Sequence, residues 1–319
     1  MLVRCQQALL LMSLVAITLL TNISRAQDVI VVQDSQGQHT FEHVPSRVAA
    51  LNWDIAEQVL ALGVTPIAMP DIGEYRQWVM KPEVPDSVMD IGSRVEPNLQ
   101  RLASLKPDVI IIASPQLDLM PRLQQIAPVL FFQTYSEQHN NAQAAIDNFK
   151  HIATLLGRRQ QAEQRLAQMD QRLADLKTQL MQAYAGQLPT VTTFRFASMT
   201  SVYQYGDNST AQYALQRLGI APAIKQGPTQ WGVKQQRLKN LRHIGEGVAL
   251  YFEPFAQEEQ LAGSVMWNAM PFVRDGKMSS VASAWNYGGA VSIEYMAEAL
   301  TQSLLAIAPR KTSATEVTP

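Results

Sequence analysis

The chain has 319 residues, 26 Lys and Arg against 27 Asp and Glu, and an apolar share of 47%. So balanced a charge excludes a nucleic-acid or anionic-membrane surface, and the single cysteine, Cys5, excludes thiol chemistry and cysteine metal sites in the rest of the chain. The length exceeds one typical domain and points to two lobes, each with apolar residues enough for a core.

Residues 1–26 read as a secretory signal. Arg4 gives a positive start, Ala8 to Leu20 is an apolar run too short to span a membrane, and Ser24-Arg25-Ala26 offers a small-residue cleavage site. Cys5 precedes the apolar run, so a lipid anchor is not expected. The chain after residue 26 is slightly acidic, since Arg4 and Arg25 both fall in the leader.

Residues 27–141 read as a first lobe. A hairpin turns through Asp34-Ser35-Gln36-Gly37. Strand and helix signals then alternate. Arg47–Leu51 is a short buried strand, and Trp53 stands at its end, where α/β folds place ligand loops. Asp54–Leu62 is a helix and Pro66–Met69 a strand. Trp78 falls in a polar loop after Glu74-Tyr75-Arg76-Gln77. Leu99–Leu105 is a helix. Asp108–Ile112 is a strand covered on both faces, Leu117–Ile126 a helix and Pro128–Phe132 a strand. Such β–α alternation predicts a parallel sheet.

Residues 142–186 break the alternation. Ala142–Leu156 is amphipathic. Arg159–Tyr184 has no Gly or Pro and carries Leu166, Met169, Leu173, Leu176 and Leu180 at three- and four-residue steps. A helix this long can run from one lobe to the other. The alternative, a coiled-coil seam, is disfavoured because the pattern is short for sustained heptads.

Residues 187–319 read as the second lobe. Strands are expected at Thr190–Phe196, Val202–Tyr205, Val248–Glu253 and Met278–Ala282, and helices at Thr210–Leu218 and Ile293–Ile307.

The chemistry-bearing residues do not form a catalytic pattern. There is no Gly-x-Ser-x-Gly elbow and no phosphate-cradling glycine loop. The five histidines are His39, His43, His139, His151 and His243, with His39 and His43 on one face of the hairpin as surface residues. No metal cluster follows from their spacing. What stands out is Gly92-Ser93-Arg94-Val95-Glu96-Pro97-Asn98-Leu99, with an arginine beside a helix start, and Trp285-Asn286-Tyr287-Gly288 far downstream. Arginine presents a rigid donor fork to clustered oxygens. Loop aromatics such as Trp78, Trp231, Trp285 and Tyr287 give broad contact surface. Together they predict a cleft for an oxygen-rich, partly apolar small molecule. Trp267, followed by Ala269-Met270-Pro271-Phe272-Val273, reads as core packing instead. The bland alternative for Arg94 is a pair with Glu96 or a cap on a neighbouring segment.

In order along the chain, Leu51-Asn52-Trp53, Tyr75-Arg76-Gln77-Trp78, Gly92 to Leu99, Leu105-Lys106-Pro107-Asp108, Trp231-Gly232, Met266 to Val273 and Trp285-Asn286-Tyr287-Gly288 resemble the periplasmic ferric-hydroxamate siderophore-binding proteins that serve ABC importers. The resemblance covers nearly all of the chain after the leader. It implies a soluble, monomeric periplasmic protein. The expected fold is α/β, with two lobes of mainly parallel sheets joined by a long backbone helix and a shallow cleft between them. It implies Arg94 on hydroxamate oxygens, Trp53, Trp78, Trp231, Trp285 and Tyr287 around the chelate, and an inner-membrane permease as partner. It implies no enzyme activity and no cofactor, because the chelate itself gives iron six oxygens. One position departs from the pattern: where members carry a tyrosine after the strand ending near Ile112, this chain has Ala113-Ser114-Pro115-Gln116. Importer-facing acids are also displaced. Gln100 and Lys239 stand at the expected places, leaving neighbours such as Glu96 or Glu246. Two other readings remain: a binder of another iron chelate or a corrinoid on the same fold, and a secreted hydrolase.

Overall fold

The computed structural model describes residues 29–309; the residues read as a secretory signal and the C-terminal residues 310–319 lie outside them. The hairpin is as expected, β1 (Ile30–Gln33) pairing antiparallel with β2 (Gln38–Phe41). His39 Nε2 lies 2.9 Å from an Asp34 carboxylate oxygen, and His43 falls past the end of β2 rather than beside His39 on it.

The first lobe is built on five parallel strands in the order β5-β4-β3-β6-β7, where β3 is Val48–Ala50, β4 Ala68–Met69, β5 Met89–Asp90, β6 Val109–Ile112 and β7 Val129–Phe131. All four residues of β6 are buried, as a central parallel strand with both faces covered requires. Alternate residues serve opposite faces: Val109 and Ile111 join one cluster, Ile110 and Ile112 another. Helix α1 (Trp53–Ala61) follows β3 directly. Trp53 is therefore the first helical residue and not the end of a strand, since the chain turns at Asn52. The segment expected as a polar loop is helix α2 (Ile72–Trp78), with Ile72 and Tyr75 buried. Its seven residues are too few for a recognisable apolar period. Helix α3 (Leu99–Ser104) starts at Asn98, whose side chain accepts from Arg101 N at 2.8 Å. The helix expected at 117–126 is instead a 3-10 turn (Ser114–Leu119) running into α4 (Met120–Leu123), where Pro115 and Pro121 each remove an amide donor.

Two helices carry the chain across. Helix α5 (Asn141–Leu155) ends before Gly157, which takes φ +62° and so lets the chain reverse. Helix α6 (Arg159–Ala183) is the expected long helix, with Ala162, Met169, Leu173, Leu176 and Leu180 buried along one stripe.

The second sheet has the order β10-β9-β8-β11-β12. Here β8 is Val191–Ser198, β9 Ser201–Tyr205, β10 Val233–Arg237, β11 Val248–Phe252 and β12 Met278–Val281. Strands β8, β11 and β12 are parallel, whereas β9 and β10 form an antiparallel edge. The sequence reading lacked β10, whose Val-Lys-Gln-Gln-Arg is polar as an exposed edge strand can be. It also lacked the short helices α8 (Glu258–Ala262), α9 (Val265–Asn268) and α10 (Pro271–Arg274). Helix α7 (Thr210–Arg217) follows the β8–β9 hairpin. Helix α11 (Ser292–Ala306) lies against α6, tied to it by Arg165–Glu294 and Arg172–Glu298 pairs, both at 2.7 Å. Trp267 is 4% exposed and packs on Phe272, as expected of a core residue.

One face of each sheet drains into the same apolar core. It runs from Val48 and Ile111 through Phe149, Leu173 and Leu300 to Val191 and Leu250. The long helix is thus a shared wall of both lobes rather than a tether.

Candidate functional site

Ligands of parallel α/β sheets sit beyond the carboxyl ends of the strands, above all where strand order reverses. In the first sheet the chain leaves β3 for β4 on one side and returns to β6 on the other, so the reversal falls between β3 and β6. Trp53 follows β3, Ala113–Pro115 follow β6, and Thr134–Tyr135 follow β7. The second lobe contributes Glu253–Pro254 after β11 and Ser283–Tyr287 after β12. Two adjoining cavities occupy this junction, with volumes of about 380 and 230 Å³. They share Trp53, Arg94, Trp285 and Tyr287. The larger falls in the size range of small-molecule sites.

Each sequence-predicted residue lines this junction. Trp78 lines the larger cavity and Trp231 the smaller; the other four line both. Trp53 is only 1% exposed: its ring forms a floor, with its indole nitrogen donating to Pro70 O at 3.2 Å. The Arg94 guanidinium lies over it, Cζ 3.4 Å from the ring centroid. Arg94 does not pair with Glu96. Asp71, at the start of α2, accepts from both Arg94 N (2.9 Å) and Arg94 Nε (3.3 Å). Its terminal nitrogens make no hydrogen bond among the described residues; Glu74 stands 4.0 Å away. The ring contact and the Asp71 bonds anchor the guanidinium where Arg94 lines both cavities.

The rings form a chain across the junction. Trp53 meets Trp285 at 5.0 Å between centroids, Trp285 meets Tyr287 at 5.8 Å, and Tyr287 meets Tyr135 at 5.7 Å. Tyr135 stacks on Trp231 at 5.9 Å. Trp285 Nε1 and Asn286 Oδ1 are buried without a partner. An unpaired buried donor and acceptor beside a cavity are groups a bound polar molecule can satisfy.

Sequence reasoning missed Tyr135, Arg195 and Glu57. Tyr135 donates from its hydroxyl to Gly288 O at 2.8 Å, joining the lobes, and burial pushes that hydroxyl well above the ordinary tyrosine range. Arg195 lines the larger cavity from β8, its guanidinium 4.3 Å from the Tyr203 centroid. Only its position in Phe194-Arg195-Phe196, a cation between aromatics within a strand, could have signalled it. Glu57 is buried in α1 and accepts three bonds from the second lobe. Its burial pushes the carboxyl up to about 7. Asp54, one turn earlier, is also raised by burial while it accepts from Thr134 Oγ1 at 2.8 Å.

Among the described residues no group of three or more His, Cys, Asp or Glu is arranged to hold a metal ion, and no helix is long and apolar enough to cross a membrane.

Comparisons with known proteins agree with this architecture. The family described as periplasmic binding protein matches residues 48–245. The iron(3+)-hydroxamate-binding protein FhuD of Escherichia coli K12 is 31% identical over 263 residues, 82% of this chain and 87% of that protein. The Fe(3+) dicitrate-binding periplasmic protein FecB of E. coli K12 is 34% identical over 155 residues, 47% of this chain and 49% of that protein. The crystal structure of the siderophore-binding protein FhuD from Vibrio cholerae, bound to Fe3+-Desferal, superposes with a TM-score of 0.80 at 52% identity, over 83% of this chain and 99% of that one. By its strand order, its junction of two lobes and these matches, the chain belongs to the periplasmic binding protein family.

Proposed function

We propose that this protein captures a ferric hydroxamate-type siderophore in the cleft and delivers it to an inner-membrane ABC importer. The observation that carries the reading is Arg94, held over Trp53 and by Asp71 in the lining of both cavities, its terminal nitrogens without a hydrogen bond among the described residues. Hydroxamate oxygens bound to iron keep partial negative charge, and a fixed guanidinium fork suits them. Rings from both lobes then cover the apolar linkers of the chelate. The iron needs no ligand from the protein. This binding role, with no chemistry performed on the ligand, is supported by the names of the E. coli and V. cholerae relatives. A hydrolase has no Gly-x-Ser-x-Gly elbow in the sequence to support it. The iron citrate reading rests on a relative of which the chain spans about half the length.

Trp53, Trp78, Arg94, Trp231, Trp285 and Tyr287 contact the chelate. The lobes divide into 27–141 and 187–319 around the helical region 142–186, and the protein works as a soluble periplasmic monomer after loss of residues 1–26. Glu96, exposed on the Arg94 loop, serves importer docking better than Glu246. The latter precedes β11, at the opposite end of that strand from the cleft, and pairs with Lys277 at 2.7 Å.

The test is tryptophan fluorescence of the ligand-free protein, titrated with ferric hydroxamates, ferric citrate, a ferric catecholate and a corrinoid. Saturable quenching by the hydroxamates at the lowest concentrations is expected. Quenching by the others alone would transfer the assignment to that chelate.

A further inference from the structure

Helix α1 supplies more than the floor of the cleft. One turn beyond Trp53, Glu57 points a fully buried carboxylate at the start of α11. Its Oε2 accepts from Gly289 N at 3.0 Å and from Ser292 Oγ at 2.8 Å, and its Oε1 accepts from Ser292 N at 2.8 Å. All three donors belong to the second lobe, and Gly289 ends the loop that carries Trp285 and Tyr287.

The approach is too close for side chains. A Cβ on Gly288 would lie 2.5 Å from Glu57 Oε2 and 1.9 Å from Ser292 Oγ; one on Gly289 would lie 2.4 Å from Gln58 Cγ. On the loop's other flank Tyr135 holds Gly288 O. A buried carboxylate is a costly way to fill space, and an apolar side chain of similar volume commonly serves stability as well. What the carboxylate adds is direction: three donors are fixed in position by one rigid acceptor.

We propose that Glu57 is a positioning residue of the cleft. It holds Gly289 and Ser292, and thereby sets Trp285 and Tyr287 against Trp53 and Tyr135, without touching the ligand. The inference rests on the reading of this cleft as the binding site, but its structural half can be tested without ligand.

Two indoles with centroids 5.0 Å apart and planes at 61° give an exciton couplet in circular dichroism, and its amplitude reports the Trp53–Trp285 geometry. Trp285→Phe identifies that couplet. In ligand-free protein, Glu57→Ala is expected to abolish it and to weaken ferric desferrioxamine B binding by tenfold or more. Glu57→Gln keeps the shape but presents an amide nitrogen where an acceptor is needed, and should fall between Glu57→Ala and wild type in both readouts. Glu57→Ala or Glu57→Gln protein that melts earlier yet keeps couplet and affinity would show a purely structural role and overturn the proposal. Should Glu57→Ala and Glu57→Gln not fold, Ser292→Ala removes one of the three donors. It should lower couplet and affinity in the same direction by two- to fivefold, and no change in either overturns the proposal. If wild-type protein ignores ferric desferrioxamine B, the proposed function fails, while the couplet still decides whether Glu57 sets the loop.

Discussion

The proposed function assigns specificity to Arg94, and the surroundings of that residue say what its loss should do. Charge-assisted hydrogen bonds are worth about 1.5–3 kcal/mol, so Arg94→Ala should weaken ferric hydroxamate binding by about ten- to a hundredfold. Arg94→Lys should recover only part, since a point charge does not reproduce the fork. The melting temperature should hardly move, because Asp71 keeps its bond to the residue 94 amide and is itself partly solvated. An Arg94→Ala protein that melts early but binds normally per folded molecule would reduce Arg94 to a structural ion pair. Glu57 gives a second, pH-based expectation. Burial raises its carboxyl from 4.5 to about 7, so it costs folding stability when it ionises: stability is greatest below about pH 4.5 and falls by about 3 kcal/mol at most as pH rises through 7. Urea midpoints of the wild type should fall from pH 5 to pH 8, and Glu57→Gln should flatten that slope; an unchanged slope would contradict a titrating Glu57. Arg94 and the loop aromatics could be read from sequence because such residues outside apolar runs are conspicuous. Tyr135 and Glu57 could not, because only the fold brings the residues after β7 and the middle of α1 to the same junction; Arg195 left only the weak sign of a cation between two aromatics within a strand.

Elements long enough to show a period were readable: α1, α5, α6, α7 and α11 sit within a residue or two of their expected bounds. The failures are short or polar. Helix α2 has seven residues and β5 two, and edge strand β10 has no apolar alternation. The close approach of the Gly288–Gly289 turn to α1 was also invisible, since glycines after an aromatic loop look like ordinary turn chemistry. That approach makes a comparison possible. Gly289→Ala must displace Gln58 and should cost about 1–3 kcal/mol. Gly73→Ala, in α2 with nothing within 4 Å of the added Cβ, should be neutral or stabilise by about 0.4–1 kcal/mol. Thermal melts of the two variants decide it, and equal melting temperatures would contradict the close-approach argument.

At the scale of the molecule, α6 is a continuous helix of 25 residues, roughly 37 Å at 1.5 Å per residue. Its buried stripe belongs to a core that both sheets share. Bending between the lobes would disrupt that packing, so closure on binding should be small. Scattering of the ligand-free and loaded protein should give nearly equal radii of gyration, and a large compaction on loading would refute the rigid-wall account. On this reading the protein recognises the whole chelate, and the iron is never handed to a protein ligand. Equilibrium dialysis with labelled iron tests this. Ferric desferrioxamine B should be retained with one iron and one chelator per protein, while labelled ferric iron or zinc without chelator should dialyse away. Iron retained without its chelator, or a ferric hydroxamate not retained at all, would contradict it.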